Sequence, residues 1–165
     1  MATSQNGYPV RTSETCKVWR IPVGSGAKRH IVLAPGAPGF VLVHLATWFD
    51  DEIEPLNQGQ WDEWGFAPRA IRGSTTVSNH ASGTAEDLNA TEHPMGVRNT
   101  FTAEQQQRIR RKLRRYRGVI RWGGDYVSRP DDMHFEINAS RAKVRAVAAV
   151  LRATRRGRRI RKANP

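Results

Sequence analysis

Residues 129–138 read RPDDMHFEIN. Met133, Phe135 and Ile137 alternate with His134, Glu136 and Asn138, the period of two that a β-strand shows when one face is apolar and the other polar. His134 and Glu136 therefore point away from the core. A second stretch, residues 78–89, reads SNHASGTAEDLN and holds His80 and Asp87 seven residues apart, with Gly83 between them. If residues 84–89 also form a strand, Ala85, Asp87 and Asn89 share a face. Asp87 then meets His134 across neighbouring strands, and His80 folds over from the loop leading in. Two distant segments thus predict one polar site on a small antiparallel sheet.

The surrounding chain supplies the covering elements. Residues 18–23 (VWRIPV) and 30–33 (HIVL) flank the Gly24-Ser25-Gly26 link and read as a hairpin. Residues 40–49 (FVLVHLATWF) are apolar almost throughout and are expected to form a buried helix rather than a strand. The acids that follow, Asp50, Asp51, Glu52 and Glu54, read as a solvated face or turn, being consecutive rather than convergent. Thr102 and Gln105 have capping-box spacing, and Ala103, Ile109, Leu113 and Tyr116 recur near a helical period before Gly118. A further helix is expected over residues 140–154, with Val144, Val147, Ala148 and Leu151 inward. Residues 155–165 (RRGRRIRKANP) have little apolar surface and read as a mobile basic tail. The expected organisation is one domain over 1–154 and this tail.

Composition narrows the class of protein. The 165 residues can bury a core without disulfide staples, and no apolar run approaches the roughly 18–20 residues of a membrane span. A soluble protein without stable membrane insertion is expected, most simply a monomer. The first ten residues, MATSQNGYPV, have neither the basic nor the apolar region of a signal peptide. The lone Cys16 makes no internal disulfide, so any metal must rely on His and carboxylates. The net charge of +12 is lopsided: residues 1–104 carry 8 Lys/Arg against 11 Asp/Glu, and residues 105–165 carry 19 against 4. Such a field concentrates polyanions near the C-terminal region without saying which kind.

Two imidazoles and one carboxylate, His80, His134 and Asp87, make a facial ligand set for Zn²⁺. Three protein ligands leave a fourth position for water, whose pKa the ion lowers to roughly 7. A general base is still required, and Asp131 and Asp132 both sit where the chain turns into the His134 strand.

Ser78, His80, Gly83, Ala85 and Asp87, followed by Asp131, His134, Phe135 and Glu136, resemble the zinc peptidases that include D-alanyl-D-alanine carboxypeptidases and phage L-alanyl-D-glutamate endopeptidases. The flanks at 64–74 (WGFAPRAIRGS) and 121–126 (RWGGDY) look like the endolysin branch, so the resemblance spans roughly residues 35–138. It implies that His80, Asp87 and His134 bind zinc and that Asp131, rather than Asp132, is the base. It also implies that Ser78 lies close to substrate and that an upstream arginine, Arg69 or Arg72, steadies the scissile carbonyl as it gains charge. Opposite parity on an extended segment would let only one of these arginines face the metal. Glu136 is expected to orient a ligand imidazole or an arginine. The implied substrates are peptidoglycan stem peptides, and the implied place of action is the bacterial wall, reached from the host cytoplasm on release. An L-alanyl-D-glutamate endopeptidase is the first expectation and a D-alanyl-D-alanine carboxypeptidase the second. The basic C-terminal region could hold the enzyme near anionic cell-wall polymers.

A rival from another class is a basic nucleic-acid-binding protein with a structural His/Asp cluster. The tryptophans, however, are not interleaved with the basic run as single-strand stacking prefers. Trp48, Trp61, Trp64 and Trp122 are expected as core or cleft walls, and His30 and His44 as packing or surface residues. His93 is expected in a loop bordering the cleft, and Gly123 and Gly124 in a tight turn beside the site.

Overall fold

The computed structural model describes residues 2–24, 26, 28–56 and 61–165, so Ser25 of the hairpin link lies outside the described residues. The expected hairpin is β1 (Lys17–Pro22) paired antiparallel with β2 (Lys28–Leu33). The apolar run is a helix, α1 (Ala37–Glu52), which Pro38 opens near the first turn, where a missing N–H costs nothing. Every residue from Gly39 to Phe49 is buried, as befits a helix apolar on all sides. It packs against β1 and the elements that follow.

The second sheet is built from β3 (Ala85–Asp87), β4 (Ile120–Trp122) and β5 (His134–Ile137), in the order β3-β5-β4 with both pairings antiparallel. Between β3 and β4 lies α2 (Ala103–Arg115). Its first turn is closed by the expected box: Gln105 N donates to Thr102 Oγ1 at 3.2 Å, and Thr102 N to Gln105 Oε1 at 2.8 Å. The chain ends in α3 (Arg141–Ala153) and α4 (Arg155–Ala163). With four helices and two small antiparallel sheets among the described residues, the fold is α+β, with α1 at the centre against β5, α3 and α4.

Two expectations need correcting. Residues 155–163 are not a loose tail but the helix α4. Thr154 Oγ1 caps it by accepting from Gly157 N at 3.0 Å, and Ile160 is fully buried. A side chain at Gly157 would collide with Leu151 O, so the glycine lets α4 lie directly on the end of α3. Asn164 then fastens the C-terminal end to Arg20 N and O at 2.7 and 2.9 Å, and Arg156 and Arg159 pair with Asp51. One apolar residue in a basic segment suffices because these anchors are long-range. Nor are the acids at the end of α1 merely solvated: Asp51 and Glu52 pair with arginines, and Asp50 accepts from Gly24 N and Leu56 N.

His44 is buried in α1, with Nδ1 2.8 Å from Tyr116 OH and Nε2 3.3 Å from Thr154 Oγ1. Thr154 spends its own hydrogen on Leu151 O, so it must accept from His44 Nε2–H, and Nδ1 accepts from Tyr116. Burial, reinforced by Lys112 and Arg156, pushes the pKa of His44 down to about 3. The folded protein therefore holds this imidazole neutral while the unfolded chain protonates it below its ordinary value of 6.5. Stability is expected to fall as the pH drops from about 6.5 towards 3, by up to about 4 kcal/mol from this residue. Urea titrations of the protein and of His44→Gln check this, the variant losing that part of the acid sensitivity.

Candidate metal centre and its cleft

The antiparallel register sets Asp87 directly opposite His134, on the central strand of the sheet. His80 arrives from a single 3₁₀ turn, residues 79–82, whose start is capped by Ser78 Oγ accepting from His80 N at 3.2 Å. Gly83 ends that turn with φ of +64°, where a Cβ would also strike Ala34 N; glycine alone satisfies both demands. β3 then stops at Asp87. Asn89 has φ of +46° and turns to Glu54, so it does not share the Asp87 face as an extended 84–89 strand would require.

His80 Nε2, Asp87 Oδ1 and His134 Nδ1 converge. His134 Nδ1 is 2.8 Å from Asp87 Oδ1, His80 Nε2 is 3.3 Å from the same oxygen, and the two nitrogens are 3.2 Å apart. A tetrahedral zinc with bonds of about 2.0 Å has ligand-to-ligand edges of about 3.3 Å. The hydrogen bonds on the far sides set the tautomers. His80 Nδ1 donates to Gly65 O at 2.6 Å, and His134 Nε2 donates to Glu136 Oε2 at 3.3 Å. Imidazoles bonded in this way on their far sides turn two nitrogen lone pairs towards a carboxylate oxygen, a donor set suited to a cation. The three residues thus form a group that could hold a metal ion. Burial opposes charge on Asp87, yet His80 and His134 outweigh it and hold its carboxyl below the ordinary range.

Glu136 is fixed from several sides. It accepts from Asn79 Nδ2 at 2.5 Å, Arg121 Nε at 2.7 Å and Tyr126 OH at 2.8 Å, as well as from His134. Burial is overcome by these partners, His134 foremost, and its pKa falls to about 2. Asn79, Arg121 and Tyr126 escaped the sequence reading as site residues. Arg121 and Tyr126 stood in the RWGGDY flank, but nothing local announced that they and Asn79 meet on one carboxylate.

The cleft over this centre has a volume of about 340 Å³, and Arg69, Arg72, Ser78 and Asp131 all line it. Among the described residues Asp131 Oδ1 is buried without a hydrogen-bond partner, and burial pushes the carboxyl up to about 6. Asp132 points elsewhere: its Oδ2 accepts from Thr100 N and Oγ1 at 2.9 and 2.7 Å, and it does not line the cleft. Arg69 and Arg72 do not divide by parity, because the segment bends back on itself, with Ala70 bridged to Val77. Both reach the cleft, and Arg69 is the one whose charge bears on Asp131. Arg129, unanticipated, joins that rim by donating to Arg72 O at 2.9 Å.

Gly123 is close-packed rather than conformationally special: a Cβ there would meet Asp131 O and the Cβ atoms of Asp131 and His134. Its carbonyl accepts from Asp131 N at 3.0 Å, which ties the end of β4 to Asp131. His93 does not border this cleft; it is buried, bound to Glu54 at 2.8 Å and stacked on Phe101. Trp48 and Trp122 are buried, whereas Trp61 and Trp64 are about half exposed and wall neither core nor cleft.

With this geometry in place, a family model described as D-alanyl-D-alanine carboxypeptidase matches residues 72–137, a span that includes the three converging side chains and Asp131. The match supports a zinc metallopeptidase acting on peptidoglycan. Neither a curated protein nor a solved structure matches the chain.

Proposed function

We propose that this protein is a phage-lysin-like zinc peptidase that cuts the L-alanyl-D-glutamate amide of peptidoglycan stem peptides at the bacterial wall, after release from the host cytoplasm. The observation that carries the reading is the convergence of His80 Nε2, Asp87 Oδ1 and His134 Nδ1 beneath a cleft that also holds the unpartnered Asp131. A zinc ion held there supplies Lewis acidity towards the amide carbonyl and makes a water nucleophilic near neutral pH.

The chain's own groups do the rest. The Asp131 carboxylate takes the proton of the attacking water and returns it to the departing amine nitrogen. Arg69 offers its guanidinium N–H groups to the carbonyl oxygen as charge builds there. Glu136 keeps the His134 ring in the tautomer that presents Nδ1, and Gly65 O does the same for His80. The endopeptidase specificity rests on the resemblance of the 64–74 and 121–126 flanks. A D-alanyl-D-alanine carboxypeptidase is the second reading, favoured by the description of the matching family.

Mass spectrometry of fragments from defined walls separates the two, since new D-glutamate amino termini mean the first and released D-alanine the second. Chelation is expected to abolish wall hydrolysis and added Zn²⁺ to restore it, while His80→Ala stays inactive at any zinc concentration. Hydrolysis that persists in the chelator or in His80→Ala overturns the proposal.

A further inference from the structure

We propose that the groove formed by α2, α4 and the C-terminal end of α1 is a docking site for an anionic wall polymer, a single flexible phosphodiester chain, separate from the catalytic cleft. The groove has a volume of about 760 Å³ and is lined by Arg108, Arg111, Lys112 and Arg115 of α2 and Arg156 of α4. It shares no lining residue with the cleft, so a chain bound here leaves the chemistry unobstructed.

The acids in the groove do not balance these cations. Glu52 pairs with Arg108 at 3.0 Å and approaches Arg156 at 3.6 Å, whereas Glu104 forms no salt bridge among the described residues. Arg111 and Arg115 are exposed and have no acidic partner among the described residues. Packing does not explain the crowding, because α2 meets the core mainly through Ile109 and Leu113. Lys112 registers the strain: its ammonium lies 5.2 Å from the centroid of the Trp48 ring, and burial followed by Arg156 pushes its pKa down to about 8. Cations held together in this way against their own repulsion are relieved by a bound polyanion.

The lining narrows the choice among polyanions. Single-stranded nucleic acid wants exposed aromatic platforms, but the groove's one aromatic residue, Trp48, is 4% exposed and lies under Lys112. A lipid surface wants apolar side chains to insert, and none of the exposed large apolar residues lines the groove. A chain of phosphates without bases asks only for spaced cations. The choice of a wall polymer rests on the proposed function, since walls that carry phosphodiester polymers present them beside the stem peptides.

The test is co-sedimentation of the zinc-loaded protein with purified walls, before and after hydrofluoric acid strips their phosphodiester polymers. The protein is compared with the double variant Arg111→Glu/Arg115→Glu and with Arg111→Lys/Arg115→Lys. The parent is expected to bind untreated walls roughly tenfold or more tightly than stripped ones, with the difference fading at high salt. The glutamate variant should bind untreated walls no better than stripped ones, the lysine variant should bind as the parent does, and all three should cleave soluble stem peptides at one rate. Equal binding to both wall preparations, or undiminished binding by the glutamate variant, overturns the inference. So does tighter binding to duplex DNA or to anionic vesicles than to the isolated polymer. Selective adsorption without cleavage of stem peptides would uphold this site and count against the catalytic reading instead.

Discussion

Asp131→Asn is expected to slow hydrolysis of stem peptides by about 10²–10⁴-fold while leaving zinc affinity close to that of the parent. The asparagine keeps the shape of the side chain and removes its ability to take a proton. The metal group is untouched, because Asp131 is not one of its three members. Folding is expected to be little affected, since Asp131 Oδ1 has no hydrogen-bond partner among the described residues to lose. The two readouts, amine release from purified walls and zinc titration by calorimetry, separate a base from a ligand. A rate within a few-fold of the parent ends the assignment of Asp131, and a parallel loss of zinc would make it a ligand. Asp132→Asn should behave differently, because Asp132 is engaged with Thr100 outside the cleft. Its effect is expected on stability before rate.

Glu86→Leu is expected to stabilise the protein by about 1–4 kcal/mol at neutral pH. Glu86 lies on β3 opposite Phe135, is fully buried, and neither carboxyl oxygen has a hydrogen-bond partner among the described residues. Alternation along the strand turns Asp87 to the metal centre and therefore Glu86 to the core. There Phe135 stands among Phe49 and Trp122. Burial, with Asp87 adding to it, raises the pKa of Glu86 well above the usual carboxyl range. The folded protein thus holds a proton that the unfolded chain releases, so this carboxyl costs more stability as the pH climbs above about 4.5. The gain in Glu86→Leu should accordingly be larger at pH 8 than at pH 5, as read from denaturant midpoints. A gain that is the same at both, or a loss, would mean that the carboxyl finds a partner or water in solution. Glu86→Gln should remove the pH dependence with a smaller gain, because its amide still lacks partners.

Much of the fold can be read along the chain because its signals are local. The alternation of 133–138, the Thr102/Gln105 box and the apolar run at 40–49 each state a period or a cap within a few residues. The helix α4 escaped such reading, since its stability comes from Ile160, the bare backbone at Gly157 and the grip of Asn164 on Arg20, all measured against distant parts of the chain. The same holds for the short β3. The expected strand extended to Asn89, but β3 stops at Asp87, and Asn89 is left-handed with its side chain bonded to Glu54.

At the site, the residue types, with the period of two for Asp87 and His134, nominated His80, Asp87 and His134 and left two adjacent aspartates as candidate bases. Residue type and parity are properties of the chain itself and need no folding to be seen. The direction of each carboxylate is not such a property. Thr100 draws Asp132 away and leaves Asp131 at the cleft, Asn79, Arg121 and Tyr126 close on Glu136, and the bend at 70–77 brings both Arg69 and Arg72 to the rim. A hydrogen bond depends on where atoms lie in space, and partners far apart in the chain acquire a distance only once the core has closed around them.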